Sequence, residues 1–584
     1  MSQYRKGGGF VTLATSKSKN SISYYVMRSV RDGKKKFSKV VERLGNHEEL
    51  VKRFGTQDTV EKAREYVAEL TRIEKEGRRE CIVKYAPNKL IPKGERQRFS
   101  AGYLFLQKIY HELKIDKICR KITNLHKFDF DLDSILSRLV YGRILFPASK
   151  LQTFELSHKF LEPPNFEIHH VYRGLESLAK ESDFIQAELY KNSTNVIKRK
   201  TGVLYFDCTN YFFEIEQEEG LKQYGHSKQH QPSPLVQMGL FMDGDGIPLA
   251  FSINKGNSNE QTTLKPLESK ILSDFELSKF VVCTDAGISS LENRKYNNIG
   301  GRAFITTQSV KKLVKHLREW ALDTTGWLSP SDDKIYNISE IDETKHKKST
   351  FYKERWIKEN GFEQKLIVTY SVKYRDYQRT IRAGQVERAE RLIAKNPTKL
   401  KKVNQNDYKR FISKTAVTNE GEVAGNNIYS IDTNVIAAEE VFDGFYAVCT
   451  NLDDTPETII KINHRRWEIE ECFRIMKHEF KARPVYLKRD DRIEAHFLTC
   501  FISLLIYRIL EKRLNEQFTC SQIVHELRDM DMLEVKSEGF IPTYTRTDFT
   551  DALHHAFGFR TDFQITKYSQ MKNVFKESKN PKIL

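Results

Sequence analysis

Between Gly202 and Thr307 the order of apolar runs and turns leaves few ways to fold. G-V-L-Y-F-D-C (202–208) reads as a buried strand ending in Asp207. P-L-V-Q-M-G-L-F-M-D (234–243), the turn G-D-G and I-P-L-A-F-S-I-N (247–254) read as a hairpin beside it. A helix is predicted from Glu260 to Leu272, followed by the strand K-F-V-V-C-T-D-A-G (279–287) with Asp285 at its end. A further helix near 289–297 and the strand R-A-F-I-T-T (302–307) complete the run. Strand, strand, strand, helix, strand, helix, strand is the order of an α/β core. A lone aspartate at a strand end is ordinarily a turn or cap residue, so the pair acquires meaning only with a third acid.

That acid is expected in N-H-R-R-W-E-I-E-E-C-F-R-I-M-K (463–477), which reads as one helix without Pro or Gly. Ile469, Phe473, Met476 and Phe480 recur at three- and four-residue steps and make one face apolar. A second stripe holds Asn463, Arg466, Glu470, Arg474 and Lys477, so Glu470 is flanked by cations on its own face. Asp207, Asp285 and Glu470 would form a three-carboxylate metal site beside a bound phosphate. The other reading of the stripe is a solvated face carrying intrahelical ion pairs.

Taken together, these blocks resemble bacterial insertion-sequence transposases of the DDE type. The branch is the one whose last acid lies in a Y-x-x-R-x-x-x-E-x-x-x-x-x-x-K signature. Arg466, Glu470 and Lys477 match that spacing, Trp467 and Ile469 suit its R-W-x-I-E form, and Asn463 stands at the tyrosine position. The similarity runs from the N-terminal hairpin past residue 510. It implies a ribonuclease-H-like catalytic core, whose first and fourth strands lie side by side, so that Asp207 and Asp285 would meet although 78 residues apart. It also implies metal-dependent cleavage at the element's ends, followed by strand transfer into target DNA. Mg²⁺ or Mn²⁺, as two ions, would be held by Asp207, Asp285 and Glu470, since hard oxygen donors select such metals. Arg466, Lys477 and Arg474 would bind DNA phosphates. The partners implied are double-stranded DNA, as terminal inverted repeats and as target, and a second copy of the chain on that DNA. A ribonuclease-H-like nuclease without strand transfer and a catalytically inactive DNA-binding relative stay open as alternatives.

Composition agrees with a polyanionic partner. Lys and Arg number 96 against 78 Asp and Glu, a net charge of +18 with a pI near 9.2. The eight cysteines include no C-x-x-C pair and no Cys/His spacing suited to zinc, and read as reduced core residues of a cytosolic protein. The N-terminus lacks the apolar run of a signal peptide, and Phe497–Leu510, interrupted by Arg508, reads as a buried helix in place of a membrane span. The expected location is therefore the bacterial cytoplasm, at the nucleoid.

The six regions expected are an N-terminal β-hairpin region (1–50), a helical domain (51–199) that by the resemblance would recognise DNA ends or else serves only as a scaffold for the core, the first part of the core (200–307), an insertion domain (308–440), the second part of the core (441–510) and a helical C-terminal region (511–584). R-D-G-K between two strand-like runs at 22–44 signals the hairpin. Helices are predicted at 57–77, 101–113, 132–145, 170–180 and 184–198. The insertion is required by the 185 residues between Asp285 and Glu470. It contains K-L-I-V-T-Y-S-V (365–372) as a strand, and Trp320, Trp327 and Trp356, any of which could stack on an unpaired base or fill a core. Lys228 and His230, in the loop after the first core strand, are near-site candidates or plain turn residues.

Overall fold

The computed structural model describes residues 8–18, 21–32, 35–55, 58–77, 86–225, 232–395, 407–417 and 426–582. Met1–Glu95 with Val535–Glu538 cluster as one compact unit, and Arg96–Glu534 with Gly539–Leu584 as a second.

The first unit runs past the boundary expected at residue 50. It holds β1 (Gly8–Lys17), β2 (Ile22–Asp32) and β3 (Lys35–Gly45), antiparallel in that order. Asp32 pairs with Lys35 where the R-D-G-K signal stands, and the turn itself, 33–34, lies outside the described residues. β1 escapes sequence reading because its opening glycines carry no strand signal. Helix α1 (His47–Phe54) starts at a capping box, in which Asn46 Oδ1 accepts the Glu49 N–H at 2.9 Å and Glu49 Oε2 accepts the Asn46 N–H at 2.8 Å. It stops at Gly55, whose φ of 67° suits glycine. With α2 (Thr59–Gly77) it covers a small core of Val11, Val26, Leu44, Leu50, Ala63 and Val67.

The second unit opens with the short β4 (Arg98–Ser100) and six helices: α3 (Tyr103–Glu112), α4 (Ile115–His126), α5 (Leu132–Leu145), α6 (Lys150–Ser157), α7 (Ile168–Lys180) and α8 (Ser182–Val196). Helices α4 and α6 were not expected. The buried stripe of α4, Ile115, Ile118, Cys119 and Ile122, is masked in sequence by the charged residues between its members.

A mixed α/β architecture follows, with a central sheet between helices. Its strands are β5 (Val203–Phe212), β6 (Leu235–Asp243), β7 (Pro248–Lys255), β8 (Val281–Thr284) and β9 (Ala303–Gln308), with α9 (Glu260–Asp274) and α10 (Leu291–Tyr296) between them. Residues 308–440 then supply α11 (Lys315–Leu322), β10 (Trp327–Ser329), β11 (Asp332–Tyr336), β12 (Phe351–Glu359), β13 (Phe362–Tyr370), α12 (Val372–Lys395), the hairpin β14 (Ile412–Val417) and β15 (Asn426–Ile431), and α13 (Thr433–Glu440). Strand β16 (Phe445–Thr450) lies between β13 and β9, so one ten-stranded sheet runs β11-β10-β12-β13-β16-β9-β8-β5-β6-β7. Only β5/β8 and β8/β9 are parallel pairs in it. The inserted strands β10–β13 thus extend the core sheet, while β14 and β15 form a separate two-stranded sheet.

After β16 come α14 (Pro456–His464), α15 (Trp467–Arg474), α16 (Asp490–Arg513), α17 (Cys520–Asp529), β17 (Asp531–Val535), β18 (Gly539–Pro542), α18 (Asp548–Phe557) and α19 (Tyr568–Ser578). Helix α16 is apolar on every side, which is the signature of a helix surrounded by protein. It is long and apolar enough to cross a membrane, yet 94 % of its most apolar window is buried within the fold, against α3, α5, α7 and β7. Each of its fully buried Leu, Ile and Phe side chains contributes about 1.5–3 kcal/mol. The seven described cysteines are buried and unbridged.

Candidate active site

The parallel register of β5 and β8 pairs Val203 with Val281, Leu204 with Val282 and Tyr205 with Cys283. Two residues further on, Asp207 comes level with Asp285, but β5 does not end at Asp207 as expected: it runs on to Phe212 paired with β6, so Asp207 is mid-strand while Asp285 lies just past the end of β8. Strand alternation puts Tyr205, Asp207, Thr209 and Tyr211 on one face of β5. Tyr205 donates its hydroxyl to the Ile462 carbonyl at 2.9 Å, the Lys477 ammonium bonds the Thr209 hydroxyl, and Tyr211 reaches Met476 Sδ at 3.8 Å. These contacts bracket Asp207 and lay the 462–477 segment across its face.

The single helix expected over 463–477 is in fact three pieces. Helix α14 ends at His464, α15 begins at Trp467, and from Ile475 to Glu479 the chain makes one π-helical turn. Lys477 lies in that wider turn, a local form often found at functional positions. The apolar face is as read: Ile469, Phe473, Met476 and Phe480 are all buried.

Arg466 donates from NH1 to the Thr307 hydroxyl at 3.1 Å. Thr307 follows Thr306, which pairs with Thr284 across β8 and β9, so Arg466 is anchored beside Asp285 as Lys477 is anchored beside Asp207. Glu470 lies between these two cations in sequence and is exposed. Among the described residues it makes no hydrogen bond and no ion pair, while its neighbours are taken: Glu468 by Arg465 at 3.1 Å and Arg508 at 3.0 Å, Glu471 by Arg474 at 2.7 Å. An intrahelical pairing of Arg466 or Lys477 with Glu470 is therefore absent among the described residues. Arg474, grouped in sequence with the phosphate ligands, instead lays its fork on Glu471.

Asp285 Oδ1 accepts the N–H groups of Gly287 at 3.0 Å and Ile288 at 3.1 Å, which fixes the carboxyl at the strand end. No cation lies within ion-pair distance of it among the described residues. Arg466 Nε is buried without a hydrogen-bond partner, an orphan donor at this end of the sheet. Asn463 is buried and links the strands. Its amide donates to the Tyr446 hydroxyl at 2.8 Å, and its Oδ1 accepts from the Cys283 thiol at 3.7 Å, a thiol that burial pushes up to about 12 and so keeps protonated. The Tyr446 hydroxyl lies 2.7 Å from Thr307 Oγ1, the atom that holds Arg466. A phenol from β16 thus stands beside Asn463, at the signature's tyrosine position. Tyr446→Phe should cost about 1 kcal/mol of stability and slow any reaction that uses Arg466 by about tenfold; thermal unfolding and turnover, measured together, check it.

Thr209, Thr307 and Tyr446 were missed in sequence, because neutral hydroxyls acquire a role only once the register is known. The tryptophans separate clearly. Trp327 is fully buried and donates its indole N–H to the Asp323 carbonyl at 2.8 Å, which leaves no face for a base. Trp320 is half-buried with Arg355 over its ring at 5.3 Å, and Trp356 is 44 % exposed. Trp467, adjacent to Arg466, is 60 % exposed. Lys228 and His230 lie outside the described residues.

A separate cluster, Asp551, His554 and Asp562, brings its ligand atoms within 4.8 Å and could hold a metal ion. As folded, Arg560 bridges both carboxylates and Arg546 also takes Asp551, so a cation would have to displace guanidinium groups already in place. It belongs to α18 and the loop after it, not to the strands carrying Asp207 and Asp285.

The chain matches the family model described as "Transposase DDE domain" over residues 210–364 and 364–506, a span that includes Asp285 and Glu470 and begins just after Asp207. No curated protein matches it. Among solved structures it is similar to one described as the piggyBac transposase synaptic complex with hairpin DNA. That similarity has 9 % sequence identity, covers 74 % of this chain and 82 % of that one, and has a TM-score of 0.37.

Proposed function

Since the chain belongs to the transposase DDE-domain family, we propose that it is an insertion-sequence transposase that cuts DNA at its element's ends and joins the freed ends to target DNA. We assign it to the branch with the Y-x2-R-x3-E-x6-K signature, with β5–β9 as a ribonuclease-H-like core. The observation that carries this reading is that Glu470 and Asp285 have no cation partner among the described residues, while Arg466, held on Thr307, keeps an orphan Nε. A purely structural site would have paired these groups with each other.

The donor set fits divalent ions of the magnesium class, because Asp207, Asp285 and Glu470 offer only hard oxygens. When bound, such ions supply a nucleophilic water and offset charge on the transferred phosphate. The chain's own part is positional. Gly287 and Ile288 N–H groups aim Asp285, and the Thr307 hydroxyl holds Arg466 for one flanking phosphate. The Thr209 hydroxyl holds Lys477 for the other. In the first reaction the water oxygen bonds to phosphorus as the P–O3′ bond breaks, freeing a 3′-hydroxyl. In the second, that hydroxyl attacks a target phosphate and expels a target 3′-oxygen. Two copies on paired ends would perform the joining.

The test is incubation of the full-length protein with a labelled duplex carrying its element's terminal repeat, Mg²⁺ and target DNA. The expected products are 3′-hydroxyl ends at the repeat boundary and joined strands. Cleavage without joining would favour a nuclease, and binding without either would favour an inactive DNA-binding relative. Arg466→Gln and Lys477→Gln should each lower cleavage by about 10²-fold, as for loss of one transition-state donor, with folding intact. A fall of less than twofold would return both residues to structural roles.

A further inference from the structure

A second cationic site lies between the loop before α6 and the segment 481–487, in a cavity of about 350 Å³. None of its fifteen lining residues is acidic, and Arg143, Lys150, Lys481, Arg483 and His496 are among them. Lys150 is 6 % exposed and has no carboxylate within ion-pair distance among the described residues. Its one hydrogen-bond partner among them is His496 Nδ1, at 3.3 Å. His496 is neutral, since burial together with Lys150 and Arg143 drives it well below its usual range, and its Nε2 lies 3.1 Å from the Ala482 carbonyl. Arg143 is spent on the carbonyls of Phe480, Lys481 and Ala148, which shape the wall, and its Nε is buried without a partner. The first turn of α6, from Ser149 to Gln152, opens on the same cavity and adds the positive end of a helix.

A buried, unpaired ammonium is costly unless something anionic visits it. We propose that this cavity is a phosphate subsite that takes a backbone phosphodiester of the bound DNA on Lys150 and the α6 N-terminus. The proposal rests on the DNA-processing reading above and extends the track of the nucleic acid beyond the carboxylates. Arg483, on the cavity wall, lies over the Phe212 ring at 5.5 Å. Phe212 is five residues along β5 from Asp207 and, by strand alternation, on its opposite face, so the subsite is a separate contact at the far end of that strand. Thr209, which holds Lys477, lies between the two along the strand.

The test is equilibrium binding of the full-length protein to a labelled terminal-repeat duplex across a salt series, without divalent metal. Lys150→Met should weaken binding on the order of tenfold and lower the salt slope by about 0.9, the loss of one phosphate contact. Lys481→Gln, at the exposed rim, should give a smaller change in the same direction and guards against misfolding of the first variant. A proton readout separates ligand binding from a structural role. The groups facing Lys150 are Arg143 from α5, His496 and Cys500 from α16, and Lys481, Arg483, Tyr486 and Tyr172 around the cavity. Burial, and then Arg143, lower its ammonium to about 7, and a bound phosphate raises it again. Binding above pH 7 then takes up a proton, so wild-type affinity falls as pH rises from 7 to 9, whereas Lys150→Met shows no such fall. Wild-type affinity and slope in both folded variants would overturn the subsite while leaving the transposase reading intact. Protection of the wild type by inorganic phosphate alone, with duplex binding unchanged in Lys150→Met, would assign the cavity to small anions and overturn the DNA contact. No duplex binding by the wild type would overturn both readings.

Discussion

Glu470→Gln is expected to lower cleavage of a terminal-repeat duplex on the order of 10³-fold or more, because charge compensation in such a site is worth several kcal/mol. Duplex binding and thermal unfolding should stay at wild-type values. The contrast follows from where the residue sits. Glu470 is exposed and makes no hydrogen bond or ion pair among the described residues, so the fold loses nothing when its charge is removed. Glu471 is the matched control, one residue on and also acidic, but joined to Arg474. Glu471→Gln should leave cleavage within about twofold and cost at most about 1 kcal/mol. Equal loss in the two variants would mean that the helix face as a whole, and not the Glu470 carboxylate, matters. Paired cleavage and calorimetry measurements decide it.

Arg508→Met is expected to destabilise the second unit by about 3 kcal/mol. Arg508 is 4 % exposed within the apolar α16, and its guanidinium serves Glu468 at 3.0 Å, Glu511 at 2.5 Å and the Gly246 carbonyl at 3.0 Å. Removing it leaves Glu468, itself 6 % exposed, with Arg465 as its remaining cation. The loss of an uncompensated buried charge exceeds that of the pair, so the double variant Arg508→Met/Glu468→Leu should recover most of the stability. The transition midpoint in calorimetry should fall by roughly 5 °C for the single change. A fall of under 1 °C would mean that water or Arg465 already carries Glu468. Because Glu468 lies two residues before Glu470, the single variant should also lose activity below its midpoint, and the double should regain it.

The β5–β9 half of the sheet was legible because each strand contains a short apolar run, although β5 continues past its run and past Asp207 to Phe212. Glu470 was singled out by its spacing from Arg466 and Lys477, and it is exposed and makes no hydrogen bond or ion pair among the described residues. Three things were not legible. The break between α14 and α15 and the π turn after it occur in residues with good helix propensity, so no local signal marks them. The joining of β13 to β9 through β16 is a pairing between segments far apart in sequence, which periodicity does not report. The fate of Trp327, in the core, and of Trp467, at the surface, depends on what the sheet brings against each. Arg508 was visible only as a charge in an apolar helix. Its partner, Glu468, carries no local signal of burial.

The position of β16 also orders the making of the molecule. β9 is synthesised well before the strand that closes its free edge, and the segment 308–440 must emerge between them. Until then a nascent chain holds Asp207 and Asp285 on a sheet with an unpaired rim. Glu470 emerges later still, after β16. On the assignment proposed above, no product of translation that stops before β16 carries all three acids. The cutting chemistry is withheld until the sheet is whole.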